Sequence, residues 1–320
     1  MTGFKIVPQI SIYRDFSEFA QTSSLCADDL IVTDRFLYDN YLAHRNLPCR
    51  CICQDDYGPG EPSSEKVTKV LQAAYSAPYK RVIAIGGGTA IDIAKLVRLA
   101  QIPDLLALYQ GKTEPKREKE LIIIPTTCGT GSEVTNISIV AFEQLNTKLG
   151  LAKDALYADT AALVPEFLEN LPYKVFIFSS MDALIHAVES YLSPKANAIT
   201  RFFSEKAIRM IISGYMAVSD RGESARRELT GDFLLASTYA GIAFSNAGCG
   251  LIHAMSYPLS GEYHIAHGEA NHQLFLAVMD YYKDNRSDDS LDKLYLLFAD
   301  IFKCGPADAD EKFQTLVRSM

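Results

Sequence analysis

The chain has 320 residues, of which 48% are hydrophobic and 22% charged, and its net charge is −8. That length suits two domains with enough apolar surface for packed cores. The acidic balance, without any basic stripe, argues against a nucleic-acid partner, and no run of sequence reaches the ~20 apolar residues of a membrane-spanning helix, so no membrane association is expected.

In chain order, "MTGFKIVPQI" lacks the apolar core and cleavage pattern of a signal peptide. The seven cysteines are an odd number scattered through a long chain. They point to a reducing compartment, and the cytoplasm is expected. "DLIVTD" (residues 29–34) reads as a buried strand ending on an acid. "CRCIC" alternates thiols with the period of a strand, as strand cysteines rather than a metal pair. "RVIAIGGG" (81–88) is a second strand, closing in glycines, and "ELIIIPTTCGTGSEV" (120–134) is a third, followed by a turn-rich loop. Segments such as "SSEKVTKVLQAAYS" carry apolar residues at helical spacing between these strands. The alternation predicts a Rossmann-like α/β domain, a parallel sheet covered by helices, over residues 1–172. Beyond Leu171 the β-branched runs fade. Amphipathic patterns such as "SSMDALIHAVESYLS" and "GDFLLASTYAGIAFSNAG" predict an all-helical domain over 173–320.

Two loops follow strands in the first half. In "GGGTAIDIAK", Gly86, Gly87 and Gly88 allow close backbone approach to a ligand. Thr89 is placed to cap the following helix, and Asp92, three residues on, to complete a box of capping type. Free N–H groups at such a helix start suit a pyrophosphate; a tight turn without a ligand explains the glycines equally well. "PTTCGTGSEVT" adds Thr126, Thr127 and further hydroxyls, leading into a helical start at Ser132 and Glu133. Loops at the carboxyl ends of parallel strands converge on one crevice. Asp34, at the end of the first of these strands, can accept from ribose hydroxyls or simply terminate a turn.

The second half holds four of the six histidines within residues 250–273. In "MDALIHAVES", Asp182 and His186 lie four apart, on one face of a helix. "AGCGLIHAMSY" carries His253 on a second helical pattern, which Pro258 and Gly261 are expected to break. A new helix is expected near Gly268, with His267 at its start. Such a hairpin can bring His253 and His267 opposite Asp182 and His186. One carboxylate and three imidazoles suit a divalent transition metal, and zinc, ferrous iron and other first-row ions all fit. His264 is placed to contact substrate or to lie exposed in the loop. His272 and His44 read as structural or surface residues.

These stretches together, "GGGTAIDIAK", "IPTTCGTGSEVT", "MDALIHAVESY" and "GLIHAMSYPLSGEYHIAHGEAN", resemble the iron-dependent, or group III, alcohol dehydrogenases over residues 29–271. "CGTGSEVTN", "LVPEFLENLPYK" and "SSMDALIHA" narrow the likeness to members acting on 4-hydroxybutyrate. The resemblance implies an NAD-dependent alcohol dehydrogenase with a divalent metal, Fe2+ by family habit and Zn2+ as the alternative. Its substrate would be a small alcohol or aldehyde, 4-hydroxybutyrate and succinate semialdehyde, held between the domains. A homo-oligomer, a dimer at the simplest, is expected. By matching positions, Asp182, His186, His253 and His267 fall on the metal ligands, and Gly87, Gly88 and Thr89 on the pyrophosphate loop. Thr126 and Thr127 fall in the second cofactor loop, Lys148 on a lysine at the nicotinamide-side ribose, and Asp34 on the acid that selects NAD over NADP. Many members carry a proton-shuttling histidine where this chain has Tyr257, which titrates far higher. The catalytic group is therefore expected among Tyr257, His264 and the ligand His267. The chain also stops at Met320, before the last helices of most members. The alternatives are a dehydrogenase of another small alcohol, such as glycerol or a diol, and a non-catalytic nucleotide- and metal-binding relative.

Overall fold

The computed structural model describes residues 3–263 and 265–320, with only the backbone described for Tyr257, Ser260, Gly261 and Glu262. The chain divides into two compact units. One comprises Ile6–Thr126 with Ser132–Phe167; the other comprises Leu168–Met320 with residues 3–5 and Thr127–Gly131.

The first unit is α/β. Its strands are β1 (Gln9–Ile12), β2 (Asp29–Thr33), β3 (Arg50–Cys53), β4 (Arg81–Gly86), β5 (Glu120–Pro125), β6 (Ile137–Phe142), β7 (Thr147–Ala152) and β8 (Thr160–Leu163). Six of them form one sheet in the order β1-β8-β5-β4-β2-β3, parallel throughout. The central strands β2, β4 and β5 are the continuous apolar runs of the sequence. Leu30, Ile31, Val32, Val82, Ile83, Ala84 and Ile85 are wholly buried, as parallel strands covered on both faces require. Cys51 and Cys53 lie on β3, and all seven cysteines are free thiols.

This topology sets the carboxyl ends of β5, β4, β2 and β3 side by side, with Thr126, Gly86, Asp34 and Gln54 at or just past them. The antiparallel hairpin of β6 and β7 is not among the elements expected from sequence. Its signal is period-two alternation, with Ser138, Val140 and Phe142 inward, and Asn146 in a left-handed turn conformation between the strands.

The second unit is helical. Its helices are Tyr173–Leu192, Ala198–Arg221, Thr230–Ala247, Leu251–Glu262, His267–Asn285, Ser290–Phe302 and Pro306–Ser319. Against the expectation that no segment reaches spanning length, Tyr173–Leu192 is long and apolar enough to cross a membrane by length and composition alone. Every residue from Ser180 to Leu192 is buried inside the unit, and a helix apolar all round belongs in a core. A second correction concerns Pro258. The helix runs through it, from Leu251 to Glu262, rather than breaking there. Proline deletes one donor. Ala254, whose carbonyl would have received that bond, is exposed, so water can replace it.

Candidate metal centre

Helix Tyr173–Leu192 carries Asp182, His186 and Glu189 at spacings of four and three, which align them on one face. All three are buried. A buried carboxylate without partners costs several kcal/mol, so the neighbouring helices must answer it. His253 is buried on helix Leu251–Glu262, and His267 opens helix His267–Asn285. Asp182 Oδ1 lies 3.6 Å from His253 Nε2 and 3.8 Å from His267 Nε2; Asp182 Oδ2 lies 3.8 Å from His186 Nδ1. One ligand atom from each of Asp182, His253 and His267 lies within 4.8 Å of the others. The His186 ring is stacked between Phe244 and His253, with centroids 4.3 Å away on each side.

Glu189 and Asn271 organise this cluster, and neither was singled out from sequence. Glu189 accepts from the backbone N–H of Gly250 at 2.8 Å and of Ile252 at 2.6 Å, and it meets His253 Nδ1 at 2.6 Å. It therefore caps the helix that carries His253. Asn271 Nδ2 donates to Asp182 Oδ1 at 2.7 Å and lies 3.2 Å from His267 Nε2. The available signals were a third polar residue on the Asp182 face of an otherwise apolar helix, and an amide four residues past His267.

The electrostatics follow the burial. Burial, against the pull of Asp182, holds His186 down to about 4. Burial alone would depress His253 as well, but the carboxylates of Asp182 and Glu189 outweigh it and raise His253 to about 9. Burial alone would raise Asp182, yet the three surrounding histidines hold it well below the ordinary carboxylate range. Among the described residues, two buried ring nitrogens, His186 Nδ1 and His253 Nε2, have no hydrogen-bond partner. Neutral His186 offers a lone pair, and His253 would offer one on giving up its Nε2 proton; beside the ionised Asp182 carboxylate they fit a divalent cation.

His264 and the side chain of Tyr257 lie outside the described residues. His272 rests its ring 6.0 Å from Phe178, a packing position, and His44 is exposed.

In the α/β unit the glycine-rich turn follows β4, with the helix Gly88–Val97 after it. The capping expectation is corrected here. Gly87 is the N-cap, no side chain caps the helix, and Thr89 lies inside its first turn. Asp92 forms no capping box. Its carboxylate accepts from the Ile139 N–H at 2.9 Å and the Ser132 hydroxyl at 3.1 Å, 3.8 Å from the Lys95 ammonium. The reason is geometric: with Gly87 as cap, Asp92 falls beyond the third helical position and faces the hairpin. A Cβ on Gly86 would stand 2.5 Å from the Ala90 Cβ and 2.9 Å from Asp34 Oδ2. Asp34 accepts from the Gln54 amide and the Gly87 N–H, and burial lifts its carboxyl above the usual range. Thr126 is buried and its N–H donates to the Gly86 carbonyl at 3.1 Å. Lys148, on β7, pairs with Glu61.

The second glycine loop has a different partner. Thr127–Gly131 belongs to the helical unit. A Cβ on Gly129 would stand 2.5 Å from the Ser179 carbonyl oxygen, and one on Gly131 would stand 2.5 Å from Gly241 Cα. Both glycines are required by close backbone packing on two helices, whatever the threonines beside them bind.

Comparison with known proteins decides the family. The pattern described as iron-containing alcohol dehydrogenase matches residues 13–165, and that of the C-terminal part of the Fe-containing alcohol dehydrogenases matches 176–320. The chain belongs to the iron-containing alcohol dehydrogenases. It is 44% identical over 317 residues to 4-hydroxybutyrate dehydrogenase of Clostridium kluyveri, covering 99% of this chain and 85% of that protein. It is 38% identical over 230 residues to long-chain-alcohol dehydrogenase 1 of Geobacillus thermodenitrificans, covering 70% of this chain and 57% of that one. Among solved structures, sulfoacetaldehyde reductase from Bifidobacterium kashiwanohense in complex with NAD+ superposes with a TM-score of 0.84 at 23% identity, covering 99% and 86% of the two chains. A 1,3-propanediol oxidoreductase gives 0.83 at 24%, covering 100% and 86%. These structures share the fold of this alcohol dehydrogenase: a parallel-sheet unit followed by a helical one.

Proposed function

We propose that this alcohol dehydrogenase interconverts 4-hydroxybutyrate and succinate semialdehyde with NAD. The observation that carries the reading is the cluster of buried Asp182, His186 and His253 with half-buried His267, in a chain so similar to a 4-hydroxybutyrate dehydrogenase over 99% of its length. The four side chains are the proposed ligands of a divalent metal, Fe2+ by family. When bound, the metal supplies a Lewis acid for the substrate oxygen, while the nicotinamide carries the hydride.

The chain's own residues do the holding. Glu189 fixes the His253 ring, Asn271 orients the Asp182 carboxylate, and the stacked Phe244 keeps water from one face of His186. In the α/β unit, Gly86–Gly88 leave the helix start bare for a pyrophosphate. Thr126, Thr127 and Lys148 are the proposed further contacts to the dinucleotide. Asp34 is the proposed partner of the adenosine ribose, where its charge would repel a 2′-phosphate. A homo-oligomer in the cytoplasm is the accompanying proposal.

The test is NADH oxidation followed by absorbance with succinate semialdehyde, together with elemental analysis of the purified protein. His267→Ala is expected to abolish metal-dependent turnover and leave NADH binding intact. Unchanged turnover would remove His267 from the ligand set, and activity only with glycerol or a diol would move the substrate to the rival class.

A further inference from the structure

The metal reading leaves one donor beside the cluster unused. His186, Cys249 and His253 each offer a ligand atom, and these atoms also lie within 4.8 Å of one another. Cys249 is an exposed residue whose sulfur nevertheless reaches two buried imidazoles. No loose loop delivers it. Gly248, at φ +79°, turns the chain after helix Thr230–Ala247, and its N–H donates to the Phe244 carbonyl at 2.7 Å. On the other side, Glu189 holds the Gly250 N–H, and a Cβ on Gly250 would stand 2.8 Å from Glu189 Oε1. Cys249 is therefore clamped between two anchored glycines. His186 is 5% exposed, and its Nδ1 is buried with no hydrogen-bond partner among the described residues, so this ring is open to a ligand.

We propose that His186, Cys249 and His253 form a second, overlapping cation site that takes soft divalent ions such as Zn2+ and Cd2+. It shares two imidazoles with the set that includes Asp182 and His267, so a cation drawn onto the sulfur gives up part of the oxygen-containing set. Thiolate and imidazole donors favour zinc and cadmium, whereas carboxylate suits harder ions. As the metal–sulfur bond forms, the thiol proton passes to solvent and no oxidation state changes. The inference rests on the proposed metal reading and extends it: one sulfur beside the cluster biases which metal occupies the protein.

The probe is Co2+ added to the full-length protein after chelator treatment under reducing conditions. Wild type is expected to show both weak visible bands and a near-ultraviolet sulfur-to-cobalt charge-transfer band. Cys249→Ser is expected to keep the visible bands and lose the charge-transfer band. In chelator competition, Cys249→Ser is expected to weaken Zn2+ binding by about tenfold or more while Mn2+ affinity stays within about twofold. Cobalt bound without the charge-transfer band overturns the second site and leaves the first standing. A band that persists in Cys249→Ser likewise overturns it. Failure of wild type to bind cobalt at all overturns both.

Discussion

Glu189 meets Nδ1 of His253 at 2.6 Å while accepting two backbone N–H groups at the start of the same helix. Its other bonds are all accepted ones, and its carboxyl is held below the ordinary range by His253 and those amides, although burial alone would raise it. The carboxylate therefore accepts here too, and the proton sits on Nδ1. That leaves Nε2, 3.6 Å from Asp182 Oδ1, as the nitrogen turned to the cluster. One side chain thus sets both the tautomer and the ring orientation of a proposed ligand.

Replacing Glu189 by Gln keeps the shape but lets the amide present the wrong group to Nδ1–H. Glu189→Gln is expected to lower metal affinity by about 10- to 100-fold, measured by competition with a chromogenic chelator. Helix content by circular dichroism should be unchanged. Undiminished affinity would show that His253 needs no such anchor.

The glycines after β5 give a second prediction. Gly131 has φ +57°, and any Cβ there meets the backbone of helix Thr230–Ala247 at Gly241. Alanine suffers the left-handed conformation and forces two main chains apart. Gly131→Ala is expected to cost about 2–4 kcal/mol, read as a lower midpoint of denaturant unfolding. A loss below about 0.5 kcal/mol would mean the helices give way freely.

The same residues show what the sequence could and could not reveal. The parallel strands were legible because β2, β4 and β5 are unbroken apolar runs. The clustered histidines were legible because four of six fall in one stretch, and Asp182 and His186 form a polar pair on an apolar helix. Glu189 was less visible because its role depends on meeting a helix start more than sixty residues away. Asp92 misled because an acid near a helix start looks like a cap until the true cap, Gly87, is known. The loop "PTTCGTGSEVT" reads as a ligand loop, since nothing local reveals which backbone will press against Gly129 and Gly131.

Lys95 yields a third prediction. It is fully buried, with its ammonium donating to the Ser132 and Thr135 hydroxyls and the Ile137 carbonyl at 2.7–3.0 Å. Asp92 lies 3.8 Å away. Lys95→Met would leave three acceptors without their donor and the Asp92 carboxylate without its cation. The expected loss is about 3–5 kcal/mol, measured by thermal or denaturant unfolding. Lys95→Met together with Asp92→Asn should recover part of that loss; no recovery would place Lys95's importance in its hydrogen bonds rather than in the charge pair.

Asp34 carries the last prediction, which joins cofactor choice to stability. Its carboxyl is raised by burial, and the Gln54 and Gly87 hydrogen bonds offset only part of this. A carboxyl with a raised folded-state pKa binds its proton more tightly when folded than when unfolded. Its charge therefore opposes folding at neutral pH, and that opposition fades as pH falls through the folded value and then the ordinary one. Asp34→Asn is thus expected to be more stable than wild type at pH 7, with the difference shrinking progressively toward pH 3. The gain should come with a loss of selectivity. Asp34→Gly removes the charge and is expected to raise the ratio of NADPH to NADH activity by on the order of tenfold, equivalent to about 1.4 kcal/mol. Unfolding midpoints across pH and paired assays with the two coenzymes measure the two effects separately. A stability gap that widens in acid would reverse the sign assigned to the buried charge, and an unchanged coenzyme ratio would take Asp34 out of ribose recognition.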